Sequence, residues 1–333
     1  MGLRVAVLYN LRRQALHPGD AGEGASLEAE YDTRETVDAL LAAIEAEGHA
    51  AVPVEADLEC LERLRRDRPD LAFNIAEGLP GAGREVQAPA MCEMLGLPHT
   101  GAGVLALALC LDKGMAKRVL RHEGVPTPGF RVVRRGEPAE PGGLRFPLFV
   151  KPLREGSSMG ISPRSVVRDA AELDQQVAAV HGAFGEPALV EEFLPGREFT
   201  VSVLGNAEPE CLPVTEINYR ALPPGYPPVY TYEFKKEWDD DRFYLCPAPT
   251  GPELLGLLRE AALATYRALG CLDVARVDLR LDGAGAPHVL EINPLPGMAP
   301  GFSDLPRQAD VAGIGYQGLV RRILEAARAR HRL

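Results

Sequence analysis

The chain has 333 residues, a formal net charge of -11 at pH 7 and 46% hydrophobic residues. Its length suits two or three domains, and its acidic charge, without a basic cluster interleaved with aromatic residues, argues against nucleic acid as a main partner. The six scattered cysteines include no Cys-x-x-Cys pair, which argues against a disulfide framework or a zinc site and fits a reducing cytoplasm. The apolar run at residues 2–9 is too short for a signal peptide or a membrane span. We therefore expect a cytoplasmic protein with no membrane partner.

Strand and helix signals alternate through the first hundred residues, as in an α/β domain with a parallel sheet. A helix is expected to begin at Asp32 or Thr33, where Glu35 has the position of a capping-box residue. The expected strands cover residues 2–9, 51–54 and 71–75, and further helices cover residues 60–66 and 85–95.

The pattern changes near Asp112. Residues 219–243 are rich in Pro, Tyr and charge with weak periodicity, which predicts a long mobile loop of the kind that forms functional lids. The expected helices cover residues 113–123, 170–181 and 314–330, the expected strands cover residues 146–151 and 188–192, and a Pro/Gly-rich linker covers residues 136–143.

Two strands with polar–apolar alternation, joined by a Gly-rich loop, lie at residues 274–281 and 288–293. If the loop is symmetric, Asp278 lies opposite Glu291 and Arg276 lies opposite Asn293, all on one face. Directly opposed carboxylates repel each other, and a cation between them would remove the conflict. Oxygen ligands without His or Cys suit Mg²⁺, with Mn²⁺ as an alternative. The pattern predicts a metal–phosphate site, and the alternative is a solvated polar face with a chance acidic pair.

A second cluster follows a predicted strand that ends at Lys151. The loop at residues 156–160, called here the Gly-Ser loop, offers backbone N–H groups and hydroxyls that could approach phosphates closely. It also satisfies Gly-x-Ser-x-Gly, the nucleophile elbow of serine hydrolases, with Ser158 as the nucleophile. Pro163 argues against the helix that such an elbow requires. A hydrolase is the weaker alternative.

The third cluster lies at residues 189–201. Glu191 at a strand end could accept the exocyclic amine of adenine, and Glu198 could accept ribose hydroxyls. By themselves these residues would be ordinary acids of an edge strand.

Taken together, the clusters resemble the ATP-grasp superfamily, and specifically the D-alanine–D-alanine ligase family. The resemblance implies an α/β (α+β) fold in which an N-terminal Rossmann-like pre-ATP-grasp domain (1–112) precedes a two-lobed ATP-grasp fold (113–203 and 204–333). The matching segments, in chain order, are residues 111–113, 150–158, 191–194, 198–201, 276–278, 291–293 and 296–298.

The same resemblance implies an ATP-dependent carboxylate–amine ligase that acts through an acyl phosphate and releases ADP and phosphate. Amino acids or peptides would be the substrates, and a homodimer is a candidate assembly. A non-catalytic ATP-binding descendant is a further alternative. The implied ATP contacts are Lys113, Lys151, Gly156, Ser158 and the lid residue Lys235 for phosphates, Glu191, Glu192, Phe193 and Leu194 for adenine, and Glu198 for ribose. The implied metal ligands are Asp278, Glu291 and Asn293, and the implied oxyanion contacts are Arg276 and the Gly297 N–H group.

The match fails where the substrates should bind. The family's acid for the substrate amino group appears as Glu35, and the lid Tyr that should bond to it and to Ser157 corresponds to Lys236. The usual Glu-Asp-Gly reads Arg84-Glu85-Val86. The serine for the second substrate's carboxylate is displaced by one position, to Ser303. A protonated Lys236 would repel an ammonium group and favour a partner with an extra acidic or carbonyl group, so we expect weak D-alanyl-D-alanine synthesis. Alternatively, Lys236 points to solvent, and Tyr230 or Tyr232 takes the bonding role.

Overall fold

The computed structural model describes residues 2–13, 27–223, 226–231, 234 and 241–333. Its N-terminal part is a parallel sheet with strand order β2-β1-β3, which confirms the predicted parallel α/β pattern. The strands are β1 (Arg4–Tyr9), β2 (Ala50–Glu55) and β3 (Leu71–Asn74), and the helices are α1 (Arg34–Ala46), α2 (Cys60–Asp67) and α3 (Gln87–Leu95).

Helix α1 begins as the sequence predicts, but its cap differs. The Thr33 hydroxyl accepts a hydrogen bond from the Thr36 N–H group at 3.3 Å. With Thr33 as the N-cap, Glu35 is one residue too early for a capping box. Glu35 is instead exposed on the first turn.

The middle of the chain forms an antiparallel sheet with strand order β4-β7-β5-β6. Helix α5 begins at the cap residue Asp112, whose side chain accepts a hydrogen bond from the Met115 N–H group at 3.0 Å. The strands are β4 (Phe130–Val133), β5 (Leu148–Pro152), β6 (Val166–Val167) and β7 (Ala188–Glu192), and the helices are α4 (Val104–Leu111), α5 (Lys113–His122) and α6 (Ala170–Phe184).

The C-terminal sheet is antiparallel with strand order β11-β10-β8-β12-β13, and β9 pairs with β8. The expected boundary at residue 203 falls inside β8, all of which belongs to this sheet. The strands are β8 (Glu198–Leu204), β9 (Glu210–Cys211), β10 (Thr215–Ile217), β11 (Tyr244–Leu245), β12 (Val274–Leu281) and β13 (Pro287–Asn293), and the helices are α7 (Pro252–Ala268), α8 (Asp304–Val311) and α9 (Gly315–His331).

The β12–β13 hairpin has the predicted register at its polar end, where Asp278 pairs with Glu291 and Arg276 with Asn293. The assumption of a symmetric loop is wrong, because Leu279 pairs with Val289 and leaves Leu290 as a bulge. The extra residue in β13 shifts the pairing by one position between the loop and the site.

The last helix packs against the first sheet. Val320, Ile323 and Leu324 of α9 share one buried cluster with Val37 and Leu40 of α1. Burial of each such aliphatic side chain stabilises the fold by about 1.5–3 kcal/mol. Because the cluster contains residues from both ends of the chain, this burial holds the last helix against the first sheet. Within the described residues, no helix is long and apolar enough to cross a membrane.

Candidate functional site

Two cavities meet where the N-terminal and C-terminal sheets face the Gly-Ser loop. The larger has a volume of about 370 Å³ and the smaller about 100 Å³. Residues that line both cavities are Ser157, Tyr230, Arg276, Glu291 and Asp304. A group at this junction is therefore accessible from both cavities.

Of the opposed carboxylates of the hairpin, Glu291 lies at the junction and Asp278 lines the smaller cavity. The guanidinium of Arg276 donates to Asp278 Oδ2 at 2.9 Å, and the Thr200 hydroxyl donates to Asp278 Oδ1 at 2.6 Å. Burial opposes ionisation of Glu291, but nearby cations, Lys113 first among them, lower its pKa to about 2. Asn293 Oδ1 accepts from the Leu295 N–H group at 3.0 Å.

This donor set fits a hard divalent cation. The lowered pKa of Glu291 favours its ionised form, and its Oε2 is 3.7 Å from Lys113 Nζ and 3.8 Å from Lys151 Nζ. Both distances exceed hydrogen-bond length, so the carboxylate retains free acceptor capacity. Within the described residues, no group of three His, Cys, Asp or Glu side chains is arranged to hold a metal. Any ion here would complete its coordination with amide, water or phosphate oxygens.

Lys113 and Lys151 reach the junction from different elements. Lys113 Nζ donates to the Glu155 carbonyl at 2.6 Å, just before the Gly-Ser loop. Lys151 Nζ is 3.1 Å from Glu191 Oε2. The pKa of Lys151 is raised because Glu191 and Glu291 outweigh the effect of burial. Lys151 offers positive charge to a polyanion in the smaller cavity, and Lys113 offers it from the larger cavity beside Glu291.

Lys117 was missed by the sequence analysis. Its Nζ is 2.6 Å from Glu191 Oε1, and it donates to the Thr127 hydroxyl at 2.8 Å. Only 1% of Lys117 is exposed, and burial lowers its pKa to about 8. Glu191 thus lies between Lys117 and Lys151, which hold its pKa below its usual value although burial opposes ionisation. Glu191 therefore compensates the positive charges of two buried lysines.

The smaller cavity also has an apolar and aromatic part. Phe149, Phe193, Leu194, Ile217 and Leu290 line it, together with Lys151, Ser158 and Glu192. Such side chains suit a planar heterocycle, with polar groups setting its orientation.

Acidic residues border this apolar part. Glu198 Oε2 accepts from Arg280 at 2.9 Å and from the Tyr219 hydroxyl at 2.8 Å. The Arg280 guanidinium lies 4.8 Å from the centre of the Phe193 ring. Glu192 lines the cavity while its Oε1 accepts from the Arg145 N–H group at 3.3 Å. A ligand hydroxyl that donates to Glu198 would therefore share this carboxylate with Arg280 and Tyr219.

The Gly-Ser loop does not have the structure of a nucleophile elbow. Ser157 and Ser158 both have left-handed backbone conformations, with φ of 47° and 58°. Strand β5 ends at Pro152, and only a short 3₁₀ turn at Pro163–Ser165 follows the loop. No histidine lines either cavity in the part of the chain that the structure describes. Ser158 therefore lacks both the helix and the base that a hydrolase needs.

The larger cavity is lined by acids to which the sequence analysis gave no role in binding. Glu35 is exposed and does not line the cavity, so its expected role is not supported. Glu30, Asp32, Glu77 and Glu85 line it instead, and we call them the acid wall.

The acid wall is electrostatically unbalanced. Glu30 is paired with Arg84 at 2.9 Å, whereas the carboxylates of Asp32, Glu77 and Glu85 form no hydrogen bond or ion pair among the described residues. Burial raises the pKa of Asp32 to about 7, with Arg12 opposing. Burial and the charge of Glu30 raise that of Glu85 to about 7. A cationic ligand group would reduce the repulsion among these carboxylates and favour their ionised forms.

Gly297 and Ser303 also line the larger cavity. A Cβ atom at Gly297 would lie 2.7 Å from the Ser303 hydroxyl, so glycine allows these residues to approach. The Ser303 hydroxyl accepts from the Ala299 N–H group at 3.2 Å. Exposed Phe302 also lines the cavity.

Lys235, Lys236 and Tyr232 lie outside the described residues. Tyr230 is described, lines both cavities and bonds to the Tyr244 hydroxyl at 3.0 Å. Tyr230 therefore lies beside Ser157 at the junction, and its expected bonding role toward Ser157 and Glu35 stays a prediction.

Comparisons with known proteins point to one family. The family model described as D-ala D-ala ligase C-terminus matches residues 119–325. A protein of Sinorhizobium fredii, described as uncharacterized protein y4sG, is 39% identical over 302 residues, with 88% of each chain covered. The D-alanine–D-alanine ligase of Pelotomaculum thermopropionicum is 33% identical, covering 91% of this chain and 94% of the relative. The structure of D-alanine–D-alanine ligase from Bacillus anthracis complexed with ATP has a TM-score of 0.74 at 26% identity, covering 100% of this chain and 99% of that one.

Proposed function

The chain belongs to the D-alanine–D-alanine ligase family, and from that premise we propose that it is an ATP-dependent carboxylate–amine ligase that forms a peptide bond. The observation that carries the proposal is the junction of the two cavities. There Arg276 and Glu291 border both cavities, while Lys151 approaches Glu291 from the smaller cavity and Lys113 approaches it from the larger one. This arrangement can bring a phosphate and a carboxylate together.

The reaction requires activation of a carboxylate, because carboxylates are poor acyl donors. A carboxylate oxygen of the first substrate attacks the γ-phosphorus of ATP, the bond to the β–γ bridging oxygen breaks, and ADP leaves. An amine then attacks the acyl carbon, phosphate departs with one original carboxylate oxygen, and the amine loses a proton. We infer that Lys113 and Lys151 stabilise the charge on the phosphates and that Arg276 and the Gly297 N–H group stabilise the charge on the acyl oxygen.

We infer that Asp278, Glu291 and Asn293 would hold Mg²⁺. The ion would supply neutralisation of phosphate charge and a fixed orientation of the phosphates. Asp278 is already bonded to Arg276 and Thr200, so Glu291, with its free acceptor capacity, would be the stronger ligand. Manganese could substitute because it accepts the same oxygen donors.

We infer that adenine occupies the apolar part of the smaller cavity, next to Phe193, Leu194 and Glu192. Glu198 would accept a ribose hydroxyl, and Ser158 would contact a phosphate. Glu191 lies deeper, between two lysines, and would act mainly by orienting Lys151.

Substrate selection would depend on the acid wall. An ammonium group would find the carboxylates of Asp32, Glu77 and Glu85 without competing partners. Their number favours a substrate with a second amino group, so we propose that a diamino acid is accepted at the acid wall, in place of the acidic or carbonyl group expected from Lys236, which lies outside the described residues. D-alanine, the substrate that gives the relatives their name, would be accepted less well. A cytoplasmic location and a homodimer remain predictions.

The test is a panel of D- and L-amino acids and dipeptides, including D-alanine, diamino acids and acidic amino acids. Phosphate release from ATP and Mg²⁺ is measured for each pair, and products are identified by mass. The proposal predicts peptide products with stoichiometric ADP and the highest turnover with a diamino acid. D-alanine pairs that outperform every other combination would refute the altered selectivity while leaving the ligase assignment intact. Phosphate release without any peptide product across the panel would count against the ligase.

A further inference from the structure

We propose that Arg84 is a positioning residue that fixes the Gly-Ser loop against the N-terminal sheet, so that nucleotide binding depends on this one guanidinium. This inference rests on the proposed ATP-dependent function. Arg84 is 3% exposed and lies in a 3₁₀ turn, far in sequence from the loop that it contacts.

Arg84 joins two distant segments. Its Nη2 atom donates to Glu30 Oε2 at 2.9 Å and to the Arg154 carbonyl at 2.9 Å, and Nε donates to the same Glu30 oxygen at 3.2 Å. Glu155 Oε2 is 3.7 Å away. One side chain therefore connects the N-terminal segment to the residues immediately before Gly156.

The approach of Glu30 to the loop is equally close. A Cβ atom at Gly156 would lie 2.1 Å from Glu30 Oε1. The two oxygens of Glu30 thus face Arg84 and Gly156. A side chain at position 156 would require the Glu30 carboxylate to move from its present position.

Arg84 is itself held in place. The Gln87 side chain donates to the Leu79 carbonyl at 2.9 Å and accepts from the Leu79 N–H group at 2.8 Å. A Cβ atom at Gly78 would lie 2.0 Å from the Arg84 carbonyl oxygen. These contacts fix the turn that carries Arg84.

The Gly-Ser loop needs such support because its conformation is uncommon. Ser157 and Ser158 have φ of 47° and 58°, and consecutive left-handed residues other than glycine persist only where their surroundings impose them. These serines line the smaller cavity. Displacement of Arg154 and Gly156 would move them away from the phosphates.

The experiment compares Arg84→Met with the double variant Glu30→Met/Arg84→Met. The single variant leaves the buried Glu30 charge without its partner, whereas the double variant removes both charges and still lacks the donor to the Arg154 carbonyl. Arg330→Met is the matched control. Arg330 Nη2 also bonds one carboxylate and two carbonyls, at Asp273, His99 and Gly101, but it does not line either cavity.

The measurements are the dissociation constant of ADP by calorimetry, KM for ATP, the ratio of phosphate released to peptide formed, and Tm. Both Arg84 variants should weaken ADP binding and raise KM for ATP by about tenfold to a hundredfold, because charge-assisted bonds that hold the loop are lost. Both should release more phosphate than peptide, since a displaced loop admits water. The double variant should recover Tm without recovering ADP affinity. Arg330→Met should lower Tm alone.

Wild-type ADP affinity and a one-to-one ratio in the double variant would overturn the inference, because Arg84 would then only neutralise Glu30. Equal ADP affinity in Arg330→Met and Arg84→Met would overturn it as well. Failure of the wild-type protein to bind ADP would instead refute the proposed ATP-dependent function. The two failures are thus distinguishable.

Discussion

Substitution of Lys117 tests whether its buried charge compensates that of Glu191 next to the proposed nucleotide site. Lys117 is almost fully buried, and its ammonium lies 2.6 Å from Glu191 Oε1. Lys117→Met keeps most of the side-chain volume and removes the charge. Breaking a buried ion pair from one side costs about 3–5 kcal/mol. Because Lys151 remains 3.1 Å from Glu191, we expect the lower end, a loss of about 3 kcal/mol.

The assay is urea unfolding followed by circular dichroism at two wavelengths, with coincident transitions as the condition for comparing free energies. Lys117→Met/Glu191→Gln is the matched variant, since it removes both charges. It should recover at least about 1 kcal/mol relative to Lys117→Met. A loss below about 1 kcal/mol in the single variant, or no recovery in the double variant, would refute the view that Lys117 compensates Glu191.

Three further predictions concern the cleft. Glu291→Ala should reduce Mg²⁺-dependent turnover by about a hundredfold or more, and near-normal turnover across a magnesium titration would make the metal assignment wrong. Ser158 should not react stoichiometrically with a fluorophosphonate, as intact-protein mass would reveal, and covalent labelling at that residue would revive the hydrolase. The pKa of Asp32 is raised to about 7 from 3.8, so its contribution to folding stability is greatest below about pH 4 and is lost as pH rises through about 7. Binding an ammonium group needs the ionised form, so KM for the amino-acid substrate should fall about tenfold between about pH 6 and pH 8. A pH profile unchanged by Asp32→Asn would contradict this role.

The hairpin was predictable because strand alternation constrains which side chains share a face. Asp278 and Glu291 are opposed as expected. The bulge at Leu290 lies where two adjacent apolar residues, Val289 and Leu290, interrupt the alternation of β13. The alternation therefore predicted correctly which side chains share a face, but the bulge that shifts the strand register was not inferred from it.

Two helices show what periodicity can miss. Helix α4 (Val104–Leu111) is apolar on all sides, so its sequence has no polar face to define a period. Helix α7 (Pro252–Ala268) has Pro at its start and buried Leu258, Ala262 and Tyr266 at helical spacing, a signal that could have identified it.

The acid wall and the Arg84–Glu30 ion pair show the limit of local reasoning. Glu35 has a plausible sequence position, yet Thr33 caps the helix and turns Glu35 to solvent. Glu30 is buried because Arg84, 54 residues away in sequence, reaches it. Lys117 was within reach of the sequence, since it lies one helical turn after Lys113 on α5.

The central claim is that a carboxylate is activated by phosphoryl transfer from ATP. The most direct test supplies the acid substrate with ¹⁸O in both carboxylate oxygens and analyses the released phosphate by mass spectrometry. A ligase that acts through an acyl phosphate transfers one labelled oxygen to each phosphate and retains the other in the peptide. Phosphate that carries no label from the substrate, with ATP consumed at the same rate, would contradict the account.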